Sequence, residues 1–175
     1  MKHYVKWLIG FIGVLVILAI AGIAFIYSGL YNVAATYPDG PLMAWVMSAT
    51  ADHSIQRRAA GIKVEVSDDP ATLQLGLSHY REMCAECHGA PGVEVGASGR
   101  GLNPDPPKLS DEPSDLKPNE LFWIIKNGIR MTGMPAWGKT HSDKEIWAIV
   151  SFVQKLPKMS KEEYQKLSEQ APQVD

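Results

Sequence analysis

Cysteine is almost absent from this sequence: Cys84 and Cys87 are the only two in 175 residues. A zinc site built on them needs a second Cys or His pair, and the remaining histidines (His3, His53, His79, His141) are scattered. A redox dithiol normally sits beside a βαβ pattern, and no such pattern is present. Basic runs are lacking too. With a net charge of −2 and no cluster of Lys and Arg, nothing points to nucleic acid as a partner. Residues 7–27 carry no charge of either sign, and no Lys or Arg occurs between Lys6 and Arg57.

The two cysteines stand in Cys84-Ala85-Glu86-Cys87-His88. Thiols at this spacing, with a histidine directly after the second, predict covalent attachment of one c-type haem. The thiols add across the two vinyl groups of the porphyrin. His88, held against the same face, becomes an axial ligand to the iron. No thiol is then left for another purpose.

The uncharged run predicts a membrane anchor over residues 1–28. About twenty helical residues at 1.5 Å rise span roughly 30 Å, the thickness of a bilayer core. Lys2, His3 and Lys6 precede the run, and the lack of cations after it puts everything beyond Ser28 across the membrane from the N-terminus. Ala19-Ile20-Ala21 looks like the cleavage site of a signal peptide. The apolar run nevertheless continues through Ile23-Ala24-Phe25-Ile26, which favours a retained anchor.

Residues 29–67 read as a juxtamembrane linker and helix. Tyr37-Pro38-Asp39-Gly40 is turn chemistry, and Pro41 suits a first helical turn. Leu42, Trp45, Val46 and Ala49 share one face of that helix; Asp52, His53, Gln56, Arg57 and Arg58 follow. The stripe is read as packed on the next domain, with the lipid surface as its other seat. Ile62, Val64 and Val66 alternate with polar residues as a short extended link.

Asp68-Asp69-Pro70 offers a cap and a first-turn proline. Leu73, Leu77 and Tyr80 then form a stripe running into Cys84, with His79 off it and exposed. Residues 89–107 hold five glycines and four prolines, the composition of a loop. A helix is predicted over 119–128. Another begins at Ser142, whose spacing to Glu145 is a capping box, and stops at Pro157. The tail, 158–175, is charged and predicted as a frayed or surface helix.

An iron held by His88 has one axial position left. Met134 lies in Thr132-Gly133-Met134-Pro135-Ala136-Trp137-Gly138, a loop able to present a thioether side-on. Such a ligand raises the reduction potential of the iron. A lone methionine is more often core filler. The loop context decides for Met134, with Met131 as runner-up; Met83 adjoins Cys84 on the proximal side.

The first helix, the 84–88 motif, the loop, Met134-Pro135 and the terminal helix over 142–156 together resemble a class I cytochrome c across about residues 68–157. The whole chain, with Tyr31-Asn32-Val33-Ala34-Ala35 and the anchor, is similar to membrane-anchored bacterial monohaem cytochromes. The resemblance implies an all-α, cytochrome c-like haem domain behind a transmembrane and a juxtamembrane helix. It implies that Gly76 and Tyr80 meet the last helix near Ile149 and Phe152. It also implies that a proline carbonyl, Pro106 or Pro107, accepts from His88. Arg100, Lys126, Arg130 and Trp137 are candidates to reach the propionates. Since bacterial c-type cytochromes receive their haem on the periplasmic side, the domain is expected there, tethered to the inner membrane.

The expected function is electron transfer, not catalysis. One covalent haem c with His88 and Met134 as ligands would shuttle electrons between membrane-associated donor and acceptor proteins. The alternative is a haem c subunit of a larger membrane-bound oxidoreductase, a dehydrogenase or a terminal oxidase complex. A peroxidase needs an open axial position with a distal base, and a gas sensor needs a signalling domain; the sequence speaks against both.

Overall fold

The uncharged run folds as one helix, α1 (Lys2–Tyr27), in the computed structural model, which describes residues 2–111 and 115–172. Its residues His3–Tyr27 have a mean hydropathy of 2.9, and the helix is long and apolar enough to cross a membrane. The Ser28 hydroxyl ends it by donating to the Phe25 carbonyl at 2.7 Å. With the turns that follow, α1 forms one of two units, Met1–Tyr37; the other is Pro38–Asp175.

The second unit is helical, and among its described residues the only β-pairing is an isolated bridge between Ala90 and Val93. It opens with α2 (Pro41–Ala59), which starts at the predicted proline. Ile55 and Ala59 are buried, α2 packs on α6 (Pro118–Asn127), and the Asn119 amide donates to the Ala59 carbonyl at 2.8 Å. The stripe expected to make this contact does not. Leu42 is 74% exposed and Trp45 67%. Val46 and Ile55 are nine residues apart, which at about 100° per residue sets them on opposite sides of the helix. The chain packs through the side on which Ile55 lies.

Asp69 caps α3 (Pro70–His79) by accepting from the Thr72 N–H at 3.0 Å. The helix runs on through a π-helical turn (Tyr80–Cys84) into α4 (Ala85–His88). Residues 62–69 link α2 to α3 without regular secondary structure, and the glycine-rich loop contains one helical turn, α5 (Ala97–Arg100).

The last core helix, α7 (Asp143–Val153), begins with the predicted capping box: the Ser142 N–H donates to the Glu145 carboxylate at 2.7 Å. α7 crosses α3 at Gly76. A Cβ there would overlap the Ala148 carbonyl and come 2.9 Å from the Phe152 Cβ. Only a residue without a side chain permits this approach. Tyr80 and Phe152 close the crossing with ring centroids 5.5 Å apart, and Trp147 stacks on Phe122 of α6 at 4.3 Å. Tyr80, Phe152, Ile146, Ile149 and Leu156 are at most 2% exposed. Each such burial is worth roughly 1.5–3 kcal/mol. An exposed pair such as Lys155 with Asp68, at 2.6 Å, adds about 0–1 kcal/mol. Packing, not surface charge, holds the unit together.

One expectation is corrected here and one alternative is decided. His79 is only 4% exposed, because α7 covers the flank of α3 on which it lies. Of the two states expected for the tail, the surface helix is the one found: α8 (Lys161–Gln170) docks on α3, with Tyr164 buried. Arg81 donates to the Ser168 carbonyl at 2.7 Å and Gln74 to that of Gln170 at 2.9 Å. Residues 173–175 of the tail lie outside the described residues.

Candidate functional site

Cys84 ends the π-helical turn and Cys87 sits within the α-turn after it, so both thiols belong to one continuous helical segment. Both are unbridged, Cys84 buried and Cys87 half-buried. Burial, with Cys87 beside it, pushes the Cys84 thiol up to about 12. The segment is pinned at both ends. Tyr80 begins it, and its buried hydroxyl donates to the Gly89 carbonyl, just past His88, at 2.6 Å. The Glu86 carbonyl accepts from the Gly96 N–H at 2.8 Å, and its carboxylate accepts from the Ser98 N–H at 3.1 Å, folding the loop back on the motif.

His88 is half-buried, with Nδ1 2.8 Å from the Pro107 carbonyl. A carbonyl can only accept, so Nδ1 carries a proton, and in the neutral imidazole the lone pair is then on Nε2. Of the two prolines offered by the loop, Pro107 is the partner.

Met134 is half-buried and packs with Trp137 against the cluster that includes Cys84 and Ala85. Its loop is tightly specified. The Met134 N–H donates to the Thr132 hydroxyl at 3.1 Å, and that hydroxyl donates to the Ile129 carbonyl at 2.7 Å. The Ile129 N–H donates to the Met134 carbonyl at 3.3 Å. Gly128, at φ +66°, ends α6; a Cβ there would lie 2.7 Å from the Met134 carbonyl oxygen. Left-handed backbone and close approach both demand glycine at this position. Met131 is 72% exposed and points away from the core.

Cys84 and Ala85 thus belong to the same apolar cluster against which Met134 packs. Two unbridged thiols on one helical segment, an imidazole nitrogen with its lone pair available and a half-buried thioether make the donor set that haem c takes. They fit. Of the residues considered for the propionates, Arg100 donates to the Val95 carbonyl at 2.8 Å and Lys126 pairs with Asp143 at 2.6 Å. Arg130 is exposed and Trp137 is half-buried. Among the described residues, no group of three or more His, Cys, Asp or Glu is arranged to hold a metal ion.

Sequence reasoning missed the surroundings of His79. Neither ring nitrogen has a hydrogen-bond partner among the described residues. The Glu145 carboxylate is 3.8 Å from Nε2, too far for a hydrogen bond. The His141 ring meets that of His79 edge-on at 5.1 Å, and Trp137 meets His141 at 5.5 Å. The signal was Gly76: a residue three positions beyond a helix-crossing glycine shares its face.

Burial lowers the pKa of His79 from its ordinary 6.5, and nearby His141 lowers it further; Glu145 and Glu82 act the other way. A lowered folded-state value means that the unfolded chain binds the proton more readily, so stability rises with pH. The contribution is present above the unfolded value of about 6.5 and is lost as pH falls toward the depressed folded value. Thermal melts of the holoprotein should therefore show the midpoint falling between pH 7 and 5, with His79→Gln showing a shallower fall. Parallel curves for the two proteins would exclude His79 as the source.

Comparison with known proteins agrees with this geometry. A family model described as "Cytochrome C oxidase, cbb3-type, subunit III" matches residues 71–153, from the first turn of α3 to the end of α7. Among curated proteins, none matches the chain. The helical fold, the donor set and the family match make residues 71–153 a c-type cytochrome domain, and haem c the cofactor such a domain implies.

Proposed function

We propose that this chain is a membrane-tethered electron carrier with one covalently bound haem c. The observation that supports this reading is that His88 and Met134 are held independently, His88 against the Pro107 carbonyl and Met134 in its hydrogen-bonded loop, so that each could fill one axial position. Cys84 and Cys87 would form the thioether links. His88 would ligate through Nε2, its tautomer set by Pro107. Met134 would ligate through sulfur, its loop held by Gly128, Thr132 and Ile129. When bound, haem c supplies a one-electron iron couple whose potential a thioether ligand raises.

α1 would confine the domain to two dimensions and raise its effective concentration near membrane-bound partners. Lys2, His3 and Lys6, with no cation again before Arg57, favour a haem domain on the periplasmic side of a bacterial inner membrane. Its partners would be membrane-associated donor and acceptor proteins.

Exposing the reduced holoprotein to carbon monoxide at neutral pH tests the closed donor set. No spectral change is expected, whereas ready binding would put an open catalytic or sensing site in place of the carrier. A second reading is a permanent haem c subunit of a larger oxidoreductase. The matching family's description, which names an oxidase subunit, favours it. Stoichiometric co-migration with other subunits after mild detergent extraction separates this reading from the first.

A further inference from the structure

The N-terminal half of α2 has a composition and a placement that electron transfer does not explain. Residues 40–51 carry no charge. Leu42, Met43, Trp45 and Val46 are 74, 42, 67 and 40% exposed, a cluster of large apolar side chains directed away from the body of the domain. Farther along, His53, Gln56 and Arg57 take over the side of the helix on which Val46 lies. Half a turn away, Ile55 and Ala59 fix the helix to α6, with Asn119 bonded to the Ala59 carbonyl. One side of α2 is therefore committed to the domain, and the other is apolar at its start and cationic at its end.

Chain length bounds what can cover that side. α1 ends at Tyr27 and α2 begins at Pro41. Thirteen intervening residues reach roughly 45 Å at full extension, and they carry one charge, Asp39. A helix with an apolar face, tethered this closely to a bilayer span, has the head-group layer within reach. Trp at the start of such a face and Arg at its polar end are the residue types favoured there.

We propose that the N-terminal half of α2 is seated in the head-group layer of the bilayer that α1 spans, with Leu42, Trp45 and Val46 immersed and Arg57 at the phosphates. This rests on the anchor reading above. The consequence is orientational: because α2 is fixed to α6, its seat on the lipid sets which side of the haem domain faces partners in the same membrane.

The test uses full-length, haem-loaded protein in phosphatidylcholine vesicles, nitroxide-labelled at Leu42→Cys, Val46→Cys, Val16→Cys or Lys166→Cys, one site at a time. Power-saturation spectra compare collisions with oxygen, which concentrates in lipid, and with a water-soluble nickel chelate. Labels at 42 and 46 are expected to favour oxygen several-fold relative to position 166, at a shallower depth than position 16. Chelate access at 42 and 46 equal to that at 166 overturns the proposal, and so does a strongly immobilised label shielded from both reagents, which would mean a protein cover. Position 16 reports the anchor separately. Lipid immersion at 16 with water at 42 and 46 sinks the α2 seat alone; water at 16 with lipid at 42 and 46 sinks the anchor alone.

Discussion

Met134→Ala is expected to turn a closed iron site into an open one. The wild-type oxidised protein should show a weak near-infrared sulfur-to-iron band, and the variant should lack it. Ferrous variant should bind carbon monoxide. Its potential should fall by on the order of 0.1 V or more, because the thioether is what favours the ferrous state. Met131→Ala is the matched control: its side chain is 72% exposed and its removal should change none of these readouts. If the alanine at 134 leaves band and potential intact while the one at 131 abolishes them, the ligand has been assigned to the wrong methionine.

The double variant Cys84→Ala, Cys87→Ala should lose both the covalent haem and most of the fold. Acid–acetone should extract all haem from the variant and none from the wild type, and a haem stain on a denaturing gel should be blank for the variant. The cytochrome domain has about ninety residues, a size at which a core is marginal without a staple or a large buried group. A ligand that binds only the folded state stabilises it by mass action, and covalent linkage makes that binding effectively permanent. Far-ultraviolet circular dichroism of the variant should show a large loss of helicity outside α1. A variant with full helicity and a cooperative melt like the wild type would refute the dependence on attachment.

What could be read from the sequence was what is local. The Cys84–His88 motif spans five consecutive residues, and the Ser142 capping box and the starts at Pro41 and Pro70 lie within one turn of the features they specify. The misreadings share a different cause. Whether His79 is buried depends on α7, some seventy positions away, and α8 docks because Arg81 and Gln74 meet carbonyls near its C-terminal end. A charged composition left fraying and a surface helix both open, and one buried tyrosine and these hydrogen bonds hold the helix in place. α2 was assigned its packing side from its apolar stripe, whereas the contact is made by Ile55 and Ala59. The choice of Pro107 over Pro106 depended on the path of a nineteen-residue loop, which spacing alone does not determine.

The crossing at Gly76 and Ala148 has a consequence for how the chain reaches its native state. These residues are about seventy positions apart, so their meeting closes a loop whose entropic cost is roughly 4 kcal/mol. Both the attachment turn and the methionine loop lie inside it. If His88 and Met134 were already tied through one metal, only about twelve residues would separate His88 from Gly76, and about fourteen would separate Met134 from Ala148. The closure cost would then fall by about 1 kcal/mol. Axial ligation would thus act as a kinetic shortcut, bringing the two ends of the domain together earlier in folding and converting a slow long-range encounter into a shorter search.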